Sequence, residues 1–397
     1  MLEAGWQIEK KGEHLWEVAS QKITSFIKSL NASREKRMVD EKIAYFNKRG
    51  RLLDAHTVEL TDKEGGKEKV TAKYILIATG GRPTDPNIPG KEHTISSDDI
   101  FWLKKRPGRT LCVGASYIAL ECAGFLKGLG MDVTVMVRSI LLRGFDQEVA
   151  NKIGDAMEAQ GVRFIRKAVP VSISLNEKGE KVVRYKQGEQ KLEDTFDTVL
   201  FAIGRTADTK TLGVEEVGVK TEKNGKIIAG DDDKTAVPSI YAVGDCCAGR
   251  LELTPTAIMA GRLLAGRLFG DETRQMSYKY VATTVFTPLE YGSCGWSQEA
   301  AKEAFGKENI LVYGSSFKPL QWALNPKRSQ RVYAKIVVNK KEDRVIGFHY
   351  LGPNAGEITQ GFAVALVKGV SKKDLDTTVA IHPTIAEVHT HRLRNSC

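Results

Sequence analysis

The chain has 397 residues, 59 basic against 49 acidic for a net charge of +10, with 42% hydrophobic and 27% charged residues. That composition belongs to a globular chain of two or three domains and excludes a disordered one. No segment approaches the roughly 20 apolar residues of a membrane span, so membrane residence is not expected. The first six residues lack a basic and then apolar leader, so no secretory signal is expected either. Lys and Arg are interleaved with acids, as in residues 64–69, instead of forming a stripe. This argues against nucleic acid and for a phosphate-bearing small molecule. Six cysteines are too few for a disulfide scaffold. The expected compartment is therefore reducing: cytoplasmic, with a mitochondrial form left open.

Residues 14–30 carry Leu15, Trp16, Val18, Ile23, Phe26, Ile27 and Leu30 at close to helical spacing. Two strand-like runs, 56–60 and 69–73, flank a Gly65-Gly66 turn and lead into the apolar strand 74–78, which closes at Thr79-Gly80-Gly81. After the breakers Pro83, Pro86, Pro89 and Gly90 comes a strand–turn–helix–strand unit. Its strand is 110–113, its helix 117–129 and its second strand 132–137; a further helix at 147–160 and strand at 162–165 continue a parallel α/β pattern. Buried strands are expected at 198–203 and from Ser239 to Val243, the latter running into Gly244-Asp245 ahead of a helix at 255–269. From residue 282 the texture becomes α+β, with strands at 282–286, 332–338 and 344–351 and then two helices.

Gly114-Ala115-Ser116-Tyr117-Ile118-Ala119 occupies the strand-to-helix turn where a G-x-G-x-x-G/A fingerprint belongs. The glycine allows the tight turn, and a small residue at the Ser116 position lets backbone N–H groups approach a pyrophosphate at the helix N-terminus. Ser116 in place of the second glycine weakens the bare pattern, and the flanking strand and helix restore it. An enzyme using NAD would end the next strand in Asp or Glu to hold the ribose 2′-OH. Here Arg138-Ser139 and then Arg143 follow Val137. Guanidinium groups and a hydroxyl suit a 2′-phosphate, so NADPH is the expected nucleotide.

These residues, with Ser96-Ser97-Asp98-Asp99, the run 133–147, Thr287-Pro288-Leu289-Glu290-Tyr291-Gly292 and Leu351-Gly352-Pro353-Asn354-Ala355-Gly356-Glu357, resemble the large, glutathione-reductase-like thioredoxin reductases. The thioredoxin glutathione reductases of flatworms share that body, and the resemblance spans residues 5–388. It implies two Rossmann-like nucleotide-binding domains of α/β class, one for FAD and one for NADPH, with a C-terminal α+β dimerisation domain. The expected boundaries are 1–80 for a remnant of the FAD domain, 81–213 for the NADPH domain, 214–284 for the second FAD segment and 285–397 for the dimer interface.

Carried over by resemblance, Thr79 and Gly80 close the first FAD segment and Asp245 holds the flavin's ribityl chain. Glu252-Leu253-Thr254-Pro255 lead a helix N-terminus toward the isoalloxazine ring. Tyr117 gates the nicotinamide pocket, Gly204-Arg205 complete the NADPH site, and Glu121 pairs with a lysine near the flavin. His382, with Glu387 orienting it, resembles the acid–base motif that serves the partner subunit's flavin. A homodimer and a disulfide substrate, thioredoxin or glutathione disulfide, are thereby implied.

Two features of that family are not found among these residues. Neither an N-terminal G-x-G-x-x-G nor a C-x-x-x-x-C pair occurs, and no two of Cys112, Cys122, Cys246, Cys247, Cys294 and Cys397 have four residues between them. The expectation is a family body incomplete at both ends, with the C-terminal selenocysteine tail also missing. Cys112 and Cys122 read as inert core thiols, and Glu121 as a carboxylate stripped of its partner. His389, His391 and Cys397 do not have convincing metal spacing, so no metal is expected. Two functions follow from this reading: an NADPH- and FAD-dependent disulfide reductase whose chain is inactive alone, or a non-catalytic, NADPH-binding, dimer-forming regulatory fragment.

Overall fold

The computed structural model describes residue 12 and residues 14–325, 330–391 and 393–395. Two compact units divide the chain: residues 1–19, 85–203 and 279–397 form one, and residues 20–84 with 204–278 form the other. The first helix, α1 (Trp16–Asp40), crosses that division and runs ten residues beyond the expected end. Trp16 is buried and its Nε1 donates to Leu103 O at 2.8 Å, whereas Leu15, Val18, Ile23, Phe26 and Leu30 are exposed. The helical periodicity is therefore real, but within this chain most of the apolar stripe stays uncovered.

Next come β1 (Arg49–Leu52), β2 (Thr57–Thr61) and β3 (Lys67–Thr71), an antiparallel sheet in that order. They are followed by β4 (Ile75–Ile77) and β5 (Gly81–Pro83).

The nucleotide-type sheet of the other unit is built from β6 (Ile95–Ser96), β7 (Thr110–Val113), α2 (Tyr117–Gly128), β8 (Val133–Val137), α3 (Gln147–Ala159) and β9 (Arg163–Arg166). Every residue of β7 and β8 is buried, as expected of parallel strands covered on both faces. An antiparallel sheet, β10 (Ala168–Leu175), β11 (Lys181–Gln187) and β12 (Gln190–Phe196), then precedes β13 (Thr198–Phe201). Its register shifts between Pro170 and Ser172, which fits a residue that lacks a ladder N–H. The sheet order is β6-β13-β7-β8-β9, all parallel.

The chain returns through β14 (Arg205–Ala207), antiparallel to β5, and β15 (Ile240–Ala242), parallel to β4, before α4 (Thr254–Phe269). Leu52, Ile77, Val214, Val219, Ile227 and Ile240 form one core of this unit.

The last segment contains β16 (Ala282–Val285), β17 (Tyr291–Gly295), α5 (Gln298–Phe305), β18 (Ile310–Phe317), β19 (Val332–Asn339) and β20 (Arg344–Leu351). Helices α6 (Ala355–Lys368), α7 (Lys372–Thr377) and α8 (Val388–His391) and the short β21 (Arg394–Asn395) finish it. The sheet runs β16-β17-β20-β19-β18-β21, antiparallel throughout. One continuous cluster of buried side chains joins it to the nucleotide-type sheet, from Cys112, Leu120 and Val135 to Tyr291, Phe348 and Leu366. At the seam, a Cβ on Gly124 of α2 would lie 2.6 Å from Pro288 Cδ, so only glycine admits that approach.

Candidate active site

The turn after β7 is tight and leaves the start of α2 uncapped. Gly114 has φ +139°, and a Cβ there would meet Ala202 O at 2.2 Å, so no side chain fits. Ser116 is the N-cap of α2, yet its hydroxyl donates to Ala202 O at 3.3 Å instead of capping the helix. The first N–H groups of α2 are thus left to an outside acceptor, the arrangement that binds pyrophosphate. Tyr117 and Ile118 begin the helix and are half-buried.

The loop after β8 carries Arg138, Ser139 and Arg143, all exposed, with Arg143 Nη2 donating to Ser139 Oγ at 2.9 Å. The loop is tied to that turn because Leu142 N donates to Ala115 O at 2.8 Å. Asp146 caps α3 by accepting from Val149 N at 3.3 Å, and it also accepts from Gln298 N at 3.0 Å at the start of α5. Lys335 of β19, fully buried, donates to Asp146 at 2.9 Å and to Glu148 at 3.0 Å. Burial works against the charge on Asp146; His349, Lys335 and the Gln298 N–H outweigh it and hold the carboxyl below its ordinary value. Burial also lowers His349, which is fixed between Tyr291 Oη at 2.8 Å and Trp296 O at 2.9 Å. Lys335, in direct contact with Asp146, is its nearest cation, and His349 Nε2 stands 4.0 Å from the same carboxylate.

His382 and Glu387 come together in the C-terminal segment. His382 Nδ1 lies 3.0 Å from Glu387 Oε2, with the imidazole side chain 71% exposed and the carboxylate 13% exposed. A carboxylate on one ring nitrogen fixes the tautomer and leaves Nε2 facing outward, the geometry of an oriented acid–base group.

Residues 6–261 match the family described as pyridine nucleotide-disulphide oxidoreductase, and residues 281–393 match the dimerisation domain of that family. The chain is also 48% identical to thioredoxin reductase SEP1 of Emiliania huxleyi, over 97% of this chain and 80% of that protein. This chain belongs to the pyridine nucleotide-disulphide oxidoreductase family. Membership implies FAD and NADPH as cofactors, and the residues present can be tested against both.

For an oxidoreductase of this family the uncapped α2 N-terminus and the Arg138–Ser139–Arg143 loop fit NADPH. The residues assigned to FAD by resemblance lie in the other unit. Asp245, after Gly244, is half-buried, and among the described residues its carboxylate makes no hydrogen bond to the protein. Burial and the nearby Glu252 raise its pKa against the pull of Arg205 and Lys226. A carboxylate placed so fits the hydroxyls of a polyol chain. Glu252 is held by Lys226 at 2.7 Å, and α4 begins at Thr254 with Pro255 in its first turn and Leu253 as an N-cap without a side-chain acceptor. Thr79 and Gly80 lie between β4 and β5, with Gly80 at φ +69°. Gly204 precedes β14 and Arg205 begins it, with Arg205 Nη2 donating to Gly81 O at 2.6 Å. The guanidinium therefore stands in the field of Asp245, beside the residues assigned to FAD.

Glu121 departs from expectation. It is not partnerless: its Oε1 accepts from Phe286 N at 2.8 Å, while burial raises its pKa and the backbone donor opposes the shift. A backbone N–H from the loop after β16 does the work that a cation was expected to do. Cys112, Cys122 and Cys294 are buried thiols raised by burial, the last two to about 12 and about 11. Cys246 and Cys247 are fully buried too; Cys246 Sγ donates to Val243 O at 3.3 Å, and Cys246 together with burial pushes Cys247 up. Cys397 and the side chain of His391 lie outside the described residues. His389 is buried against Phe348, with ring centroids 4.4 Å apart. Sequence reading missed the roles of Asp146, Gln147 and Lys335. The signal for the first was present, an Asp directly before an amphipathic helix.

Proposed function

We propose that the chain is a thioredoxin-reductase-type subunit that takes electrons from NADPH through FAD toward a protein or glutathione disulfide and works as a homodimer. Arg138, Ser139 and Arg143 hold the 2′-phosphate, and the α2 N-terminus holds the pyrophosphate. Tyr117 gates the nicotinamide pocket, with Glu121 one helical turn further on. Asp245, Thr79 and Gly80 contact the flavin nucleotide, with the segment from Glu252 to Pro255 beside the ring. FAD, when bound, supplies the two-electron relay between a nicotinamide and a disulfide. The observation that carries the reading is the His382–Glu387 pair at 3.0 Å. His382 Nε2 takes the proton of an attacking thiol and returns one to the departing thiolate, while Glu387 orients the ring.

A second reading rests on the cysteines. No two of the six are separated by four residues, and the five described are buried. These 397 residues then bind NADPH and pair with subunits that contribute the dithiol, without reducing a disulfide themselves. The experiment is NADPH oxidation by the purified, FAD-incubated protein with thioredoxin disulfide, together with the flavin absorbance retained after desalting. Retained flavin without thioredoxin turnover is the expected result. Turnover by residues 1–397 would overturn the second reading, and loss of both flavin and nucleotide binding would overturn the first.

A further inference from the structure

We infer that Gln147 is the positioning residue for the 2′-phosphate loop, and so for the choice of NADPH over NADH; the inference rests on the assignment of Arg138, Ser139 and Arg143 to that phosphate. Gln147 opens α3, one residue after Asp146, and its side chain turns back under the loop. Its Nε2 donates to three carbonyls of one short turn: Leu141 O at 3.3 Å, Leu142 O at 3.2 Å and Phe145 O at 3.0 Å. Two amide hydrogens serve three acceptors, so one bond is shared.

The turn needs such a clamp. Leu142 stands at φ +45°, a left-handed conformation that a branched side chain adopts at a cost and keeps only when its surroundings fix it. Leu141 and Leu142 are both buried, whereas Arg143 and Gly144 between them and Phe145 are exposed, so the turn is anchored on its apolar side. Phe145 N donates to Leu142 O at 2.9 Å and Leu142 N reaches Ala115 O, so the strained residue joins the phosphate loop to the pyrophosphate turn. Gln147 is itself anchored, since its N–H donates to Glu299 Oε1 at 3.3 Å and the neighbouring Asp146 is held by Lys335. Loss of the three side-chain bonds frees Leu142 to relax, and Arg143 and Ser139 move with it. The turn at Gly114–Ser116 and the N-terminus of α2 lie on the other side of the Leu142–Ala115 bond and are left in place.

The test uses Gln147→Met, which keeps the side-chain volume and removes both donors. Binding of 2′,5′-ADP and of 5′-ADP to the intact protein is measured by calorimetry, with folding checked by circular dichroism. Wild type is expected to prefer 2′,5′-ADP by at least about 30-fold. The variant is expected to lose about 10-fold of that preference, as removal of buried hydrogen-bond partners does, while its 5′-ADP affinity stays within about twofold. A wild type with no preference would overturn the arginine assignment and the inference with it. A wild type that prefers the 2′-phosphate and a variant that keeps the whole preference would overturn the inference alone, and equal losses for both ligands would make Gln147 merely structural. Hydrogen exchange of nucleotide-free wild type gives an answer that does not need the variant to fold. Slow exchange at the Leu142 and Phe145 amides is expected, and fast exchange at both would overturn the idea of a preformed loop.

Discussion

Replacing Lys335 by methionine isolates what its ammonium does. The lysine is fully buried, 2.9 Å from Asp146 and 3.0 Å from Glu148. Methionine fills most of the space and removes the cation. Asp146 then keeps its two backbone donors, Val149 N and Gln298 N, and the imidazole of His349 4.0 Å away, but loses the ammonium in direct contact with it. Breaking a buried pair from one side costs about 3–5 kcal/mol. Glu148 has a side chain 43% exposed and can be rehydrated, so the expected loss lies near the lower end, about 3 kcal/mol. Adding Asp146→Asn removes the stranded charge and should return at least about 1 kcal/mol, although each single change destabilises. The pH dependence has a definite sign. Asp146 has a lowered pKa in the folded chain, so its contribution is full above the unfolded carboxylate value and is lost as pH falls through the folded one. The gap between wild type and Lys335→Met should therefore narrow in acid. The assay is guanidinium unfolding at pH 7 and at a series of lower pH values. A Lys335→Met loss under about 1 kcal/mol, or a double variant no better than the single, would refute the reasoning.

Three further outcomes are expected. His389, held by burial at about 4 against an ordinary 6.5, binds no proton in the folded chain over a range where the unfolded chain does. Stability should fall by up to about 3 kcal/mol as pH drops through that window; His389→Phe should flatten the slope in pH-dependent denaturation, and an unchanged slope would count against the assignment. Asp245→Ala should weaken FAD retention by about 10- to 100-fold, as read from the bound flavin absorbance, since it removes a charged acceptor for the polyol. Arg138→Ala should raise the Kd for NADPH about tenfold and leave that for NADH unchanged; equal effects on both would remove Arg138 from the 2′-phosphate site.

What the sequence reveals depends on how the physics is distributed along it. Strands β7 and β8 are buried on both faces, so their apolar runs stand out, and the helix–turn signals around Gly114 place the turn to within a residue or two. The sheet β10–β12 was not foreseen, because most of β12 is exposed and its charges, Lys191, Glu193 and Asp194, mask any alternation. Strands β17 and β18 escaped notice as well, having glycines at 292, 295 and 314 within their spans. At the candidate site, the loop of Arg138, Ser139 and Arg143 was visible because its polar side chains directly follow one apolar strand. The pairing of Asp146 with Lys335 was not, since 189 residues separate the two and only the folded chain brings them together. Glu121 shows the converse: its acceptor role was visible, but its donor is a backbone N–H, which no residue type announces.

The buried cluster that runs from Cys112 through Leu120 and Val135 to Tyr291 and Phe348 has a consequence for inheritance. The nucleotide-type sheet and the C-terminal sheet do not behave as separable modules when they share one interior. A chimaera that takes residues 85–203 from one family member and 279–397 from another must match both sides of the Gly124–Pro288 seam, where a single methyl group has no room. Exchange by recombination should therefore succeed when these two segments travel together and fail when they are parted, although residues 204–278 lie between them in the gene. Natural variation at the seam should be paired, with a change on α2 answered by one in the loop before β17.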